Sequence, residues 1–551
     1  MTSQTLQTPP AGEIPAGSVN HGEVYTQRWV VDMILDLVGY TPDRDLADLT
    51  ITDPACGSGA FLVSIAERLS QSCRKFNREL PPTGIQAFDI LQRNVETSRR
   101  YIEATLVSEG WERSASKDLA ANWVKQGDYL LQDQDTPTDL VVGNPPYIRI
   151  EDIPPSRMEL YRRKNKTMTG RSDVYVGFYE RGLKALKPNG KLGFICADRW
   201  MRNQYGRELR KLISDNYAVD SLVVMHDVDA FEDKVAAYPA ITVISSAPQQ
   251  SAAVVDTSKE LRQHHSEELV SWIKSSASTT KEHAAYRAAR LPHWFQGTES
   301  WPMGSPERLA LLEELNDQYP TLEETGVKVG IGVATGADSV FLTKQDDLVE
   351  KSRLLPLSMV KDAKTGNFDW TGYYLVNPWT ADGNLVDLES YPRLKSHFEE
   401  NRAALEGRHV ARKYPQRWYR TIDKVDANLT GQPKLLFPDM KLNIHPTLER
   451  GGYYPHHNLY YMVSEKWNLE VLGGILLSRL AQMFVEAYAV RMRGGTLRFQ
   501  AQYLRRIRVP RPDTLDSGVK DALAEAFRIR DVEGATRATL HAYGISHLPA
   551  R

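Results

Sequence analysis

Between residues 49 and 245, short β-branched runs take turns with segments of helical apolar spacing. "LTITD" (49–53), "GIQAFD" (84–89), "TDLVVGN" (138–144) and "GKLGFIC" (190–196) read as strands. "GAFLVSIAERLSQSCRKF" (59–76), "ILQRNVETSRRYIEATLV" (90–107), "DVYVGFYERGLKALK" (173–187) and a stretch near 202–215 read as helices. This alternation predicts an α/β fold, with a mostly parallel sheet covered by helices on both faces. "VDSLVVM" (219–225) and "PAITVIS" (239–245) have no convincing helix between them, which predicts an antiparallel pair at one edge.

Residues 1–20 have neither the basic start nor the apolar core of a signal peptide and read as a mobile leader. Residues 21–250 form the first expected domain. From 251 to 300 the chain is rich in Ser, Thr, Gln and Ala and reads as a connector. Residues 301–551 form a second, mixed α/β domain, with frequent Tyr and Trp and short irregular strands. No run approaches the roughly 20 apolar residues of a membrane span. Cys56, Cys73 and Cys196 are irregularly spaced, which fits a reducing compartment and a structural role for all three. A cytoplasmic, monomeric protein is expected. A net charge of −2 neither demands nor excludes nucleic acid, so any basic surface must be local.

"LTITDPACGSGAFL" (49–62) sets a glycine-rich turn between a strand and a helix. Gly57 and Gly59 let backbone approach a ligand, and the helix start offers free N–H groups. No Lys-Ser/Thr follows, so this is not a phosphate-binding P-loop, and the spacing is not that of the dinucleotide fingerprint. Asp53 would repel a pyrophosphate but suits the amino group of an amino-acid-bearing nucleoside. Asp89, ending the second strand, is placed to accept from ribose hydroxyls. Asp128 in "QGDYL" (126–130) is placed to accept from an adenine amine, with Tyr129 covering the ring. Singly, each Asp reads as a loop residue or helix cap. In series after successive strands they form one nucleoside site. Ala55, Cys56 and Ile90 fall within its wall.

"VVGNPPYIRI" (141–150) follows the fourth strand segment. The exocyclic amine of adenine is a poor nucleophile because its lone pair is delocalised into the ring. Two acceptors gripping its N–H bonds would free that lone pair to attack a methylsulfonium. Asn144 supplies a side-chain oxygen and Pro145 a backbone carbonyl, held by the stiffness of Pro146. Tyr147 offers a flat face for the base. The effect is orientation and electrostatic preorganisation.

"HGEVYTQRWVVDMI" (21–34), "DPACGSGAFL" (53–62), "AFDI" (87–90), "GDYL" (127–130) and "NPPYIR" (144–149) resemble the ordered motifs of the gamma-class, TaqI-like adenine-N6 DNA methyltransferases of restriction–modification systems. The resemblance covers residues 21–245. It implies a class I S-adenosylmethionine-dependent methyltransferase fold, Rossmann-like with an antiparallel edge. It further implies S-adenosylmethionine as cofactor, duplex DNA as substrate, a flipped target base, and a separate restriction endonuclease as partner. By similarity Tyr25 and Thr26 touch the methionine end of the cofactor. The chain departs at "ILQ" (90–92), where many relatives carry an acid-proline or asparagine-proline pair. A second aromatic often sandwiches the flipped base. "DAFEDKVAAYPAITVI" (229–244) offers Phe231 and Tyr238 and does not choose between them.

A flipped base requires a second surface to hold DNA. "RHVARKYPQRWYRTIDK" (408–424) carries six Lys/Arg against one acid, interleaved with aromatics. "RMRGGTLRFQAQYLRRIRVPRP" (491–512) carries seven Arg and no acid. Arg408, Arg412, Lys413, Arg417, Arg420, Arg491, Arg493 and Arg498 are therefore the candidate DNA contacts. "GVKVGIGVATGADSVFL" (326–342) and the Arg-rich tail resemble the family's target-recognition domains. His456 and His457 are adjacent, but no Cys or spaced His joins them, so no metal site is expected. Two rival readings remain. One is a methyltransferase for another planar amine, such as ribosomal RNA guanine or release-factor glutamine. The other is a non-catalytic DNA-binding defence subunit.

Overall fold

The computed structural model describes residues 24–549, apart from 133–136, 149, 233–237, 276–277, 293–294, 296 and 490–495. The leader (1–20), Arg491 and Arg493 lie outside the described residues. The chain divides into two compact units that meet in sequence at Ala310 and Leu311.

The first unit is built on one ten-stranded sheet. Its strands are β1 (Ile51–Asp53), β2 (Ile85–Asp89), β3 (Val124–Gln126), β4 (Thr138–Gly143), β5 (Leu186–Ala197), β6 (Ala218–Val224), β7 (Pro239–Ser245), β8 (Ala252–Thr257), β9 (Thr280–His283) and β10 (Tyr286–Leu291). The order across the sheet is β3-β2-β1-β4-β5-β7-β6-β8-β10-β9. β3, β2, β1, β4 and β5 run parallel, and β7 is antiparallel to both β5 and β6. β1 and β4 are buried along their length, as strands covered on both faces must be.

Helix α1 (Arg28–Val38) turns seven apolar side chains inward and stops at Gly39, whose φ of 84° is left-handed. It lies close against β5 because Gly193 has no side chain. A Cβ there would come within 2.5 Å of Val38 Cγ1. α2 (Ala60–Lys75) follows β1, and α3 (Gln92–Ser108) follows β2. The register pairs Asp53 with Ala87 and Asp89 with Gln126. The ends of β1, β2 and β3 therefore line up on one sheet edge, which is what brings the 53–59 turn, Asp89 and Asp128 together.

Two expectations are corrected here. The antiparallel pair is not at an edge. β7 inserts between β5 and β6, and the sheet continues beyond β6. The 251–300 connector is not loose chain, since β8, β9, β10 and a helix at Gln263–Lys274 belong to the same unit. Its composition misled because β10 alternates Arg287 and Arg290 with buried alanines, a pattern without the usual β-branched run.

The second unit carries two four-stranded sheets. One pairs Val327–Ile331, Leu459–Ser464, Lys434–Pro438 and Thr447–Glu449 antiparallel. The other orders Leu342–Thr343, Tyr374–Val376, Leu354–Ser358 and Tyr454–Pro455. Helices at Leu469–Leu477, Ser517–Arg528 and Val532–Ala542 pack on one another. Within the first sheet Lys434 and Glu449 form an ion pair with no solvent exposure beyond 1% on either side chain. Among the described residues no single helix is long and apolar enough to cross a membrane.

Candidate active site

A cavity of ≈ 370 Å³ opens at the carboxyl ends of β1, β2 and β4, the usual ligand position on such a sheet. Its floor is the 54–57 turn. Gly57 has φ 54° and Gly59 φ 101°, conformations that side chains with a Cβ rarely adopt. Gly59 opens α2, and a Cβ there would press on Ser98 Oγ at 3.1 Å. Ser98 Oγ donates to Gly57 O (2.9 Å), which holds the turn against α3.

Asp89 links these parts. Its carboxylate accepts from Gly57 N (3.0 Å), Leu91 N (2.8 Å) and Asn94 Nδ2 (3.2 Å). Asp128 accepts from Leu130 N (3.1 Å) and from the Tyr161 hydroxyl (2.8 Å), with Arg157 Nε 3.6 Å away. Tyr129 stacks on Phe178 with ring centroids 6.0 Å apart, giving the cavity an apolar slot. Ala55, Cys56, Ile90 and Tyr25 line the cavity. The Cys56 thiol is pushed well above its ordinary range by burial, which suits a wall residue and not a nucleophile.

Asn144 stands where β4 ends. Its amide nitrogen donates to Val24 O (2.9 Å) and to Thr26 Oγ1 (3.2 Å). Val24 O can only accept, so the nitrogen must face it and the orientation of the amide is decided. The oxygen Oδ1 is buried with no hydrogen-bond partner, on a side chain that lines the cavity. The 24–27 segment is itself clasped. Thr26 bridges Phe231, Gln27 N donates to Ala230 O (3.0 Å), and Glu232 N donates to Tyr25 O (2.9 Å).

Several sequence candidates fall elsewhere. Asp53 and Gly59 do not line the cavity. Asp53 is 1% exposed and accepts from Ala55 N (3.2 Å), and burial raises its carboxyl to about 8. Pro146 is on the wall, whereas Pro145 is buried behind it. Tyr147 sits beside the cavity with its ring 6.2 Å from that of Tyr175. Its hydroxyl is buried, which pushes it well above the ordinary phenol range, with Cys196 next to it. Phe231 is packed in the hydrophobic core, and Tyr238 meets His226 edge-on at 5.1 Å. Neither lines the cavity.

The sequence reading missed Val24, Asn94, Phe178, and Arg157 and Tyr161 on the helix Pro155–Lys164. That helix is mostly polar, and only Met158 and Tyr161 are buried, so its apolar signal is faint. Val24 acts through its carbonyl, which no side-chain pattern announces.

Residues 62–231 match the Eco57I restriction-modification methylase family, and residues 391–509 match the TaqI-like C-terminal specificity domain. The chain is 41% identical over 532 residues to the Type II methyltransferase M.XhoI of Xanthomonas vasicola, covering 95% of this chain and 97% of that protein. The chain belongs to the TaqI-like restriction–modification DNA methyltransferases. It is also 42% identical over 532 residues to the Type II methyltransferase M.PaeR7I of Pseudomonas aeruginosa, covering 96% and 92% of the two chains. The fold of the Type IIL restriction-modification enzyme MmeI, solved in complex with DNA, matches with a TM-score of 0.57 at 11% identity, over 95% of this chain and 74% of that one. The cofactor of this methyltransferase is S-adenosylmethionine. The cavity suits it: an open glycine turn, a carboxylate at the end of β2 and an aromatic slot at Tyr129 and Phe178.

In the methyltransferase's second unit the basic segments divide by contact. Arg412, Lys413 and Arg417 are exposed. Arg408 is turned inward, donating to Thr335 O (2.9 Å), Trp418 O (2.7 Å) and Leu405 O (3.0 Å). Arg420 donates to Thr421 O and lies over the Trp379 ring. Arg498 is paired with Asp439. The Arg408 guanidinium is thus committed to three backbone carbonyls, unlike those of the exposed arginines.

Proposed function

We propose that this methyltransferase methylates N6 of adenine at a specific sequence in duplex DNA, with the target base turned out of the helix. In this reading residues 301–551 recognise the DNA, and the modification protects it from a separate restriction endonuclease. One observation carries the reading. Asn144 presents a buried acceptor oxygen that nothing in the protein satisfies, while its donors are tied back to Val24 and Thr26. A buried lone acceptor at a cavity wall is unfavourable by about 1–3 kcal/mol unless a ligand N–H meets it. The exocyclic amine of a base is such a donor.

When bound, S-adenosylmethionine supplies an electrophilic methyl on a positively charged sulfur. The chain's own part is positional. Asn144 Oδ1 and the Pro145 carbonyl accept from the two N–H bonds of N6 and leave its lone pair directed at the methyl carbon. N6 would take the methyl that the sulfonium gives up, the electron pair of the broken bond staying on sulfur, and its surplus proton would pass to solvent. Asn144 holds the amine and takes no proton, since an amide oxygen is too weak a base. Tyr147 and either Phe231 or Tyr238 flank the base in this reading. For the second role either Phe231 would have to leave its core position or Tyr238 its contact with His226.

The test is methyl transfer to duplex DNA, followed by nucleoside mass spectrometry. N6-methyladenine at one sequence is expected. N4-methylcytosine in its place, or transfer only to ribosomes or release factor, would overturn the reading.

A further inference from the structure

The second unit contains a cluster that the methyl-transfer chemistry does not use. Asp338, His456 and His457 come together, one donor atom from each lying within 4.8 Å of the others. His456 and His457 had no third ligand nearby in sequence. Folding supplies one from 118 residues earlier.

The backbone fixes this meeting. Val333 and His456 form a parallel bridge, His457 N donates to Val333 O (3.0 Å), and His456 N donates to Ser358 O (3.0 Å). Both imidazoles therefore stay on one side, with ring centroids 4.1 Å apart. Asp338 begins the short helix Asp338–Phe341, and its carboxylate accepts from the Thr335 hydroxyl. His456 Nε2 lies 3.2 Å from Asp338 Oδ2.

The remaining valences point to a ligand. Nδ1 of His456 and Nδ1 of His457 are both buried without a hydrogen-bond partner. An ion shared by His456 and Asp338 would sit between Nε2 and Oδ2, 3.2 Å apart, in place of the proton there, and His457 adds a buried nitrogen that no group of the protein uses. Asp338 is half exposed and leaves a way in for an ion.

We propose that Asp338, His456 and His457 bind one divalent transition-metal ion of the zinc type. Two imidazoles and a carboxylate suit such an ion, whereas magnesium and calcium take oxygen ligands. Three protein donors leave a fourth position for water. The bound ion would tie the 333–338 loop to residues 456–457.

The test uses the full chain, stripped with chelator and dialysed against zinc, with metal counted by mass spectrometry. Cobalt substitution gives a second readout through its visible bands. One zinc per chain is expected. His457→Ala and Asp338→Ala should each weaken binding at least ten-fold, with the Tm in chelator unchanged. Asp338→Asn replaces Asp338→Ala if the alanine variant unfolds early. His456→Ala is avoided, because His456 is 2% exposed. His264, His265 and His283 also cluster, with ring centroids 3.8 and 4.8 Å apart, so His265→Ala is the control and should bind normally. No zinc above background on folded protein overturns the proposal. So does zinc that survives both ligand substitutions, or that His265→Ala removes.

Discussion

The side-chain amide of Asn144 donates to the backbone carbonyl of Val24, 2.9 Å away and 120 residues earlier in the chain. This contact decides which end of the amide faces the cavity. Asn144→Ala should lower the transfer rate by at least about 10²–10³-fold, the usual loss when a preorganised hydrogen-bonding group is removed. Cofactor affinity, measured by calorimetry, should stay within a few-fold. A near-normal rate would contradict the role given to Oδ1.

Thr26→Val removes the second acceptor for the Asn144 nitrogen, at 3.2 Å. One hydrogen bond is worth about 1 kcal/mol, which converts to roughly a five-fold change. The expected result is a kcat lowered about five-fold with little change in the KM for DNA. Steady-state kinetics on one duplex substrate would separate the two.

Asp53 carries a pH signature. Burial, the dominant cause, raises its carboxyl from an ordinary value of 3.8 to about 8. The folded state therefore holds a proton that the unfolded state releases between those values. Its contribution to stability is complete below pH 3.8 and lost as pH rises through about 8. Asp53→Asn should remove that slope and leave the cofactor-free variant more stable than the parent at pH 9, by about 2 kcal/mol or more. Urea denaturation at pH 5 and pH 9 checks the sign.

Lys434 and Glu449 form a wholly buried pair, and burial disfavours the charge on each. Glu449→Ala strands an unpaired ammonium and should cost about 3–5 kcal/mol in chemical denaturation. Replacing both partners with apolar residues of similar volume should cost clearly less.

The basic segment at 408–424 should separate into two behaviours. Alanine at Arg412, Lys413 and Arg417 together should leave Tm nearly unchanged and reduce the salt slope of DNA binding by about 0.9 per lost phosphate contact. Arg408→Ala should lower Tm outright, because three carbonyls lose their donor. Equal effects on stability from both variants would show that the division is wrong.

These contrasts show where sequence was sufficient. β4 was legible because a buried parallel strand leaves an apolar run, here Leu140–Val142, and the 54–57 turn because glycine and proline punctuate it. Asp89 was legible because a strand end fixes where its carboxylate points. β10 was not, since two of its four buried positions are alanines and Arg287 and Arg290 flank them. Arg408 and Arg412 look alike in a string of letters. Only the fold decides that the Arg408 guanidinium is filled by three carbonyls, while that of Arg412 meets Gly407 O alone and stays exposed. Phe231 was one of two candidates for stacking on the base, and it lies in the core. The Val24 carbonyl left no trace at all, since every residue has one.

The clasp between residues 25–27 and 230–232 has a consequence for how competence is acquired. The anchor for Asn144 belongs to the stretch just ahead of α1, and that stretch is pinned by chain lying beyond β6. The aim of the Asn144 amide therefore depends on a closure that spans more than 200 residues of intervening chain.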